Sequence, residues 1–205
     1  MKSQDSVSYY EYHARKIAEN ALRVKNPSEL LPFLEMLEPK ARVLDLGCGS
    51  GLDLFYLRKA GIEGVGLEAS KTLAEISRSQ NPGSEILEKN FLFLTLKEAS
   101  FKGVWANHSL DHFDPEVVQR TIAVLFRGLE TGGALGLVIY EGTAPFEDRD
   151  GDLTGPSRFI HPYSEKAICS MLEQTGFKIK KVGRRPANPV SGDPLPSLLI
   201  LANKV

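Results

Sequence analysis

The residues best placed to do chemistry are concentrated at positions 43–51, VLDLGCGSG. Val43, Leu44 and Leu46 are suited to a buried parallel strand, which reads as a nearly continuous apolar run. They lead into a turn with Gly47, Gly49 and Gly51, and an acid, Asp45, sits inside the strand just before it. A buried acid needs a partner. Glycines at alternate positions let the backbone approach a ligand closely and adopt φ values that a Cβ would forbid. Cys48 lies within this turn, where a small side chain suffices and no neighbouring base activates it. A second acid, Glu68, follows 17 residues after Gly51 at the end of the next strand-like run. An acid there suits the two hydroxyls of a ribose. The glycines fall as G-x-G-x-G, so the third comes one place earlier than in the dinucleotide fingerprint G-x-G-x-x-G.

A second group of polar residues follows the fourth strand-like run. Asn107, His108, Asp111 and His112 are expected on the side of the sheet where a substrate would sit. Histidine is the side chain most readily poised as a base near neutral pH, so His112, His108 and Asp111 are the catalytic candidates, with His112 preferred. Backbone satisfaction of polar groups at a helix start is the competing reading. Tyr9, Tyr10, Tyr12 and His13 near the N-terminus, with Tyr140 and Arg158, are candidates for lining a substrate pocket, because pockets are rich in aromatics and Arg clamps carboxylates. Packing of the first helix onto the sheet would explain the tyrosines equally well.

Positioning these residues requires alternating strands and helices. The apolar periodicity gives helices over 6–24 and 28–37, then a strand at 42–46, a helix at 52–60 and a strand at 64–67. Ser70 is suited to cap a helix over 71–79. Strands follow at 84–87 and 103–106. Asp114-Pro115 opens a helix running to about 129, since Pro fits the first helical position. Thr131-Gly132-Gly133 turns the chain into a strand at 134–140. Ser164 caps a helix through Gln174 that stops at Gly176, and strands at 177–182 and 198–202 finish the chain. The polar stretch 141–161, with Glu147, Asp148, Arg149, Asp150 and Asp152, is read as a loop with a functional role. This alternation predicts a parallel sheet with helices on both faces, and such sheets bind ligands at the carboxyl ends of their strands.

The 205 residues suit one domain, 1–205, with a helical cap over 1–40 and a core over 41–205. Charged residues make up 25% of the chain and apolar residues 42%, as in an ordinary globular protein. With 25 basic and 26 acidic residues the net charge is −1, which gives no indication of nucleic acid as a partner. Cys48 and Cys169 are too few for a disulfide framework or a metal cluster, and fit a reducing compartment. No run approaches a membrane span, and 1–16 has no signal-peptide core. A cytoplasmic monomer or homodimer is expected.

The ordered series of motifs resembles the class I S-adenosylmethionine-dependent methyltransferases over most of the chain. VLDLGCGSG is similar to that family's first motif, and GLEAS, 66–70, to its second. LEKNF, 87–91, stands in the place of the third, with Asn90 where Asp is usual. GVWANHSLDHF, 103–113, resembles the fourth strand and the segment after it, although Lys102 follows Phe101 where Asp is usual. LETGGALGLVIYEG, 129–142, and YSEKAICSMLEQTGFKI, 163–179, resemble the fifth strand and the last helix with the sixth strand. The opening SYYEYHARKIAEN is similar to a tyrosine-bearing helix that covers the active site in small bacterial members.

The resemblance implies a Rossmann-like α/β fold. Its sheet is seven-stranded and mostly parallel, of order 3-2-1-4-5-7-6 with the last strand antiparallel, and the N-terminal helices and 141–161 act as lids. It implies S-adenosylmethionine as cofactor, held by Asp45, Gly47, Cys48, Gly49, Gly51, Glu68, Ala69, Asn90, Phe91, Ala106 and Asn107, with no metal. Glu68 would take the ribose, Phe91 would pack on adenine, and Asn90 would accept from the adenine amino group. A methyl group would pass to a small-molecule acceptor. Methyl transfer from a sulfonium depends mainly on alignment, so the family by itself implies no catalytic residue. The alternative is a non-catalytic S-adenosylmethionine-binding or partner protein on the same fold.

Overall fold

The computed structural model describes residues 2–23, 28–149, 151, 154–187 and 194–205. Expectations at Val24, Pro27, Asp150 and Asp152 lie outside the described residues. In chain order the elements are α1 (Lys2–Tyr12), α2 (Ala14–Ala21), α3 (Leu30–Leu34), β1 (Arg42–Leu46), α4 (Leu52–Lys59), β2 (Glu63–Glu68), α5 (Lys71–Gln80), β3 (Glu85–Glu88), β4 (Phe101–Asn107), α6 (Pro115–Gly128) and β5 (Leu129–Tyr140). These are followed by β6 (Phe146–Asp148), β7 (Arg158–Ile160), α7 (Glu165–Thr175), β8 (Phe177–Arg185) and β9 (Ser197–Lys204). Single 3-10 turns occupy Phe91–Phe93 and Leu110–His112.

The main sheet has the order β3-β2-β1-β4-β5-β9-β8. Its first five strands are parallel, and β9 runs antiparallel between β5 and β8. Counted within this sheet, that is the expected 3-2-1-4-5-7-6. Strand periodicity divides the core between the two faces. Leu44 and Leu46 pack with Val118, Ile122, Ile168 and Leu172 of α6 and α7. Val43 packs on the other face with Phe33, Leu54, Leu57 and Trp105.

Three local expectations differ. The helix expected over 6–24 is broken at His13, whose backbone leaves the helical region (φ −93°, ψ 7°). The buried His13 ring packs on Tyr9 and Tyr12, and the break lets α1 lie along β7 and α5 while α2 packs on α5. The loop expected over 141–161 contains a small antiparallel sheet, β6 with β7, that pairs Phe146 with Ile160. The turn at Thr131-Gly132-Gly133 lies inside β5, as an irregularity where the register with β4 jumps from Phe101↔Leu129 to Gly103↔Ala134. Gly132 takes φ +78° there.

Trp105 and Asp53 link the sheet to α4. The Trp105 ring is fully buried beside Phe33, with centroids 5.2 Å apart, and its Nε1 donates to Asp53 Oδ2 at 2.7 Å. A Cβ at Gly136 would lie 2.5 Å from Trp105 Cε3 and 2.8 Å from Phe33. Neither ring can move without leaving this packing. Gly136→Ala is therefore expected to destabilise the protein by about 1–3 kcal/mol, read as a lower midpoint in urea.

Candidate functional site

The carboxyl ends of β1, β2 and β4 converge on a cavity of about 140 Å³. Gly47 and Gly49 come from the turn after β1, Glu68 and Ala69 from the end of β2, and Asn107, His108 and Ser109 from the end of β4. Phe91, His112 and Phe113 form another part of the wall, and Ser6, Val7 and Tyr10 of α1 with Ile17 of α2 cover it.

Glu68 ties the turn to the sheet. Its Oε2 accepts the Gly49 N–H at 2.8 Å, and its Oε1 accepts the N–H groups of Ala69 and Ser70, each at 2.8 Å. A carboxylate has about four acceptor sites, so Oε2 can still receive a donor from the cavity. Burial pushes the Glu68 carboxyl above its ordinary value, and the three N–H bonds oppose that shift. In the turn itself, Gly47, Gly49 and Gly51 have φ of +72°, +54° and +87°. A Cβ at Gly47 would lie 2.6 Å from the Ser109 Cβ, so glycine is required there on two counts.

The buried polar atoms next to this turn that have no hydrogen-bond partner among the described residues include Asp45 Oδ2, Ser109 Oγ and Asn81 Oδ1. Such atoms are rare in folded proteins and often mark a missing ligand. Burial raises the Asp45 carboxyl well above its usual range, and the charges of Asp53 and Glu68 raise it further. A cation arriving nearby would reverse that shift. Asp53, also raised by burial, accepts from Asn107 Nδ2 at 3.1 Å as well as from Trp105.

The two candidate histidines are in different situations. His112 Nδ1 lies 2.8 Å from the Phe159 carbonyl, which can only accept, so Nδ1 carries the hydrogen. Its Nε2 is therefore a free acceptor, and it receives the Tyr10 hydroxyl at 2.8 Å. Burial lowers the His112 pKa to about 4. His108 sits at φ +51° with Nδ1 2.6 Å from Asp111 Oδ2 and Nε2 3.3 Å from Ser197 Oγ. Asp111 is fully buried, and its Oδ1 accepts the Tyr140 N–H at 2.7 Å. Tyr140 is stacked on the His108 ring at 4.1 Å.

Several sequence candidates lie off the cavity wall, among the described residues. Cys48 is buried in the turn with its thiol 3.8 Å from Ser77 Oγ, and burial raises its pKa. Gly51 caps α4, where a Cβ would strike Asn81 and Ser77. Ala106 is fully buried in β4, and Asp45 is buried in β1. The Asn90 side chain caps the 3-10 turn by accepting from Leu92 N at 2.9 Å. Tyr12 is 61% exposed. Tyr9 is buried between His13 and Tyr10 with the Arg158 guanidinium 5.2 Å above its ring. Arg158 pairs with Asp148 at 2.7 Å and approaches Tyr10 Oη at 3.5 Å. Sequence reasoning missed Ser109, Asp53, Ser6, Val7, Ile17, Leu73 and Phe113. The interleaving of Ser109 and Phe113 with the chosen His108 and His112 was the one available signal.

A family model described as "Methyltransferase domain" matches residues 12–182. The chain belongs to this methyltransferase-domain family. Among curated proteins it is 33% identical over 95 residues to a malonyl-[acyl-carrier protein] O-methyltransferase of Enterobacter lignolyticus, a match covering 46% of this chain and 37% of that protein. It is 30% identical over 102 residues to an uncharacterized methyltransferase of Synechocystis, covering 50% of this chain and 48% of that one. The matches thus span less than half the length of these two relatives. Among solved structures, an S-adenosylmethionine-dependent methyltransferase from Methanosarcina mazei superposes with a TM-score of 0.77 at 20% identity, covering 89% of this chain and 99% of that one. A Burkholderia thailandensis 1,6-didemethyltoxoflavin-N1-methyltransferase, solved with 1,6-didemethyltoxoflavin and S-adenosylhomocysteine, gives 0.69 at 19%, covering 96% of this chain and 84% of that one. These likenesses establish the Rossmann-like methyltransferase fold. No helix among the described residues is long and apolar enough to cross a membrane.

The buried, neutral His112 has a consequence for stability. Its pKa falls from about 6.5 to about 4 on folding, so below about pH 6.5 the unfolded chain binds a proton that the folded chain refuses. This contribution is fully present above pH 6.5 and is lost as the pH falls toward 4. At pH 5 the loss amounts to roughly 2 kcal/mol. Urea unfolding at pH 7 and pH 5 should show His112→Asn losing less stability on acidification than the unaltered protein, by about that amount.

Proposed function

We propose that this protein transfers a methyl group from S-adenosylmethionine to a small-molecule acceptor. The observation that carries the reading is the Glu68 carboxylate beside the glycine turn, with Oε2 able to take another donor and Ser109 Oγ and Asp45 Oδ2 unpartnered close by. The residues present suit this cofactor. Glu68 would take a ribose hydroxyl on Oε2. Ala69, Leu73 and Phe91 offer the apolar wall that adenine requires. Gly49, with open space where a Cβ would stand, leaves room against backbone for the methionine portion, and Ser109, packed against Gly47, offers it a hydroxyl. The buried acids Asp45 and Asp53 favour a cationic ligand through the field they set up. When bound, S-adenosylmethionine supplies an activated methyl group on a good leaving group, so the protein's task is chiefly alignment and exclusion of water.

The relatives support the same reading. The Burkholderia neighbour was solved with S-adenosylhomocysteine and a small heterocyclic acceptor, and the 33% identical relative is named as an O-methyltransferase. In this reading α1 is a lid, since Ser6, Val7 and Tyr10 close one side of the cavity. Two hydrogen-bonded contacts hold it down. Glu11 accepts from Ser70 Oγ at 2.6 Å and from Thr72 N at 3.1 Å, while Ser6 Oγ accepts the Phe159 N–H at 3.1 Å. Releasing these contacts would open the site for exchange.

Isothermal titration with S-adenosylhomocysteine tests the reading. Binding is expected, and Glu68→Gln should weaken it by roughly 10–100-fold, the equivalent of about 1.5–3 kcal/mol for a hydrogen bond to a charged group. A folded protein that binds neither S-adenosylmethionine nor S-adenosylhomocysteine would contradict it.

A further inference from the structure

The two histidines at the cavity differ in where their second ring nitrogen leads. His108 Nδ1 faces the Asp111 carboxylate, so this nitrogen carries the hydrogen, and Nε2 turns toward Ser197 Oγ. Ser197 is 1% exposed and is not among the residues of the cavity wall, so although the His108 ring borders the cavity, both its nitrogens are engaged with buried partners. His112 has its Nδ1–H fixed on the Phe159 carbonyl, which leaves Nε2 as an acceptor for the Tyr10 hydroxyl. Tyr10 does line the cavity, beside Phe113 and Phe91. Its hydrogen is committed to His112, so its Oη lone pairs remain for a donor. One such donor, Arg158 Nη1, stands at 3.5 Å and is itself paired with Asp148.

From this geometry we infer that Tyr10 is the catalytic residue that takes a proton from the methyl acceptor, and that His112 is the positioning residue that draws Tyr10's own proton away. The inference rests on the proposed methyl transfer at this site. It identifies the acceptor as a small, largely apolar molecule with an acidic O–H or ring N–H at the atom methylated. The step balances. The acceptor atom forms its bond to the methyl carbon as the carbon–sulfur bond breaks, and that bonding pair stays on sulfur. The acceptor's proton moves to Tyr10 Oη while the Tyr10 proton moves to His112 Nε2. One positive charge leaves sulfur and one appears on the imidazole, so the net charge of the buried site is unchanged.

The surroundings suit a relay. Burial raises the Tyr10 pKa, with Asp111 and Glu68 adding to the rise and Arg158 opposing it, so Tyr10 passes a proton on and does not persist as tyrosinate. Of the groups facing His112, Asp111 favours its imidazolium while Arg158 and His108 disfavour it. Burial outweighs these charges and keeps His112 neutral and weakly basic at rest, so it takes the proton only as the sulfonium charge disappears and returns it to water once the site opens.

Two measurements on the full chain test this. In ¹⁵N NMR of histidine-labelled protein at pH 7, with His112 assigned through His112→Asn, Nδ1 should be protonated and Nε2 should have the shift of an unprotonated, hydrogen-bonded nitrogen. The opposite tautomer overturns the proposal without any acceptor being known. Phenol and phthalimide are then offered as O–H and N–H probes with S-adenosylmethionine, and pyridine as an acceptor with no proton to lose. Methylation of phenol or phthalimide is expected, the two arms separating oxygen from nitrogen. Tyr10→Phe should lower kcat about 10²-fold, with S-adenosylhomocysteine affinity within about threefold of the parent. Methylation of pyridine alone, of none of the three, or an unimpaired Tyr10→Phe overturns the relay. Loss of S-adenosylhomocysteine binding by the unaltered protein instead overturns the reading beneath it.

Discussion

The Glu68 carboxylate is the constraint on which the rest of the site depends. It is 7% exposed, and it holds the backbone N–H groups of Gly49, Ala69 and Ser70 together. One side chain thereby fixes the turn after β1, the end of β2 and the start of α5 relative to one another. Burying a carboxylate costs free energy unless hydrogen bonds replace its water, and these three bonds do so only in part, since burial still raises its pKa. The remaining deficit is available to a ligand that brings hydroxyl donors. The same argument applies to Asp45, whose Oδ2 has no partner among the described residues. A site built from under-satisfied acids favours a cationic, hydroxyl-bearing ligand on grounds independent of any relative.

Glu68 also links the core to its cover. Ser70 donates its backbone N–H to Glu68 and its hydroxyl to Glu11 of α1, so the N-terminus of α5 is shared between site and lid. Farther along α1, Tyr10 meets His112, and Ser6 meets β7 through the Phe159 N–H. Phe159 then accepts from His112 through its carbonyl. The cover that α1 lays over the cavity and the tautomer of His112 thus belong to one hydrogen-bonded assembly. Alignment, water exclusion and proton handling would all be established by that assembly.

The fold was legible wherever local pattern and turn chemistry agreed. The apolar run of β1, the glycines at positive φ, the Ser70 and Ser164 caps and Pro115 at a helix start each report a short-range constraint that the sequence states directly. The break at His13 was not legible, because Tyr9–Arg15 continues helical composition and the reason to bend lies in β7 and α5. The β6–β7 pair was hidden by strands of three residues each, embedded in acidic sequence. Partner choice across long separations was also hidden. Nothing local says that Asp53 will meet Trp105 or that Tyr10 will meet His112, 102 residues away. Asn90 and Cys48 have the expected place beside the site, yet their side chains serve the local backbone or the core.

The most direct test of the account is a crystal structure of the protein with S-adenosylhomocysteine. It should show a ribose hydroxyl on Glu68 Oε2, adenine against Phe91 and Ala69, and the amino-acid end near Ser109 and the Gly47–Gly49 turn. A ligand bound elsewhere, or bound here with its ribose turned away from Glu68, would contradict it.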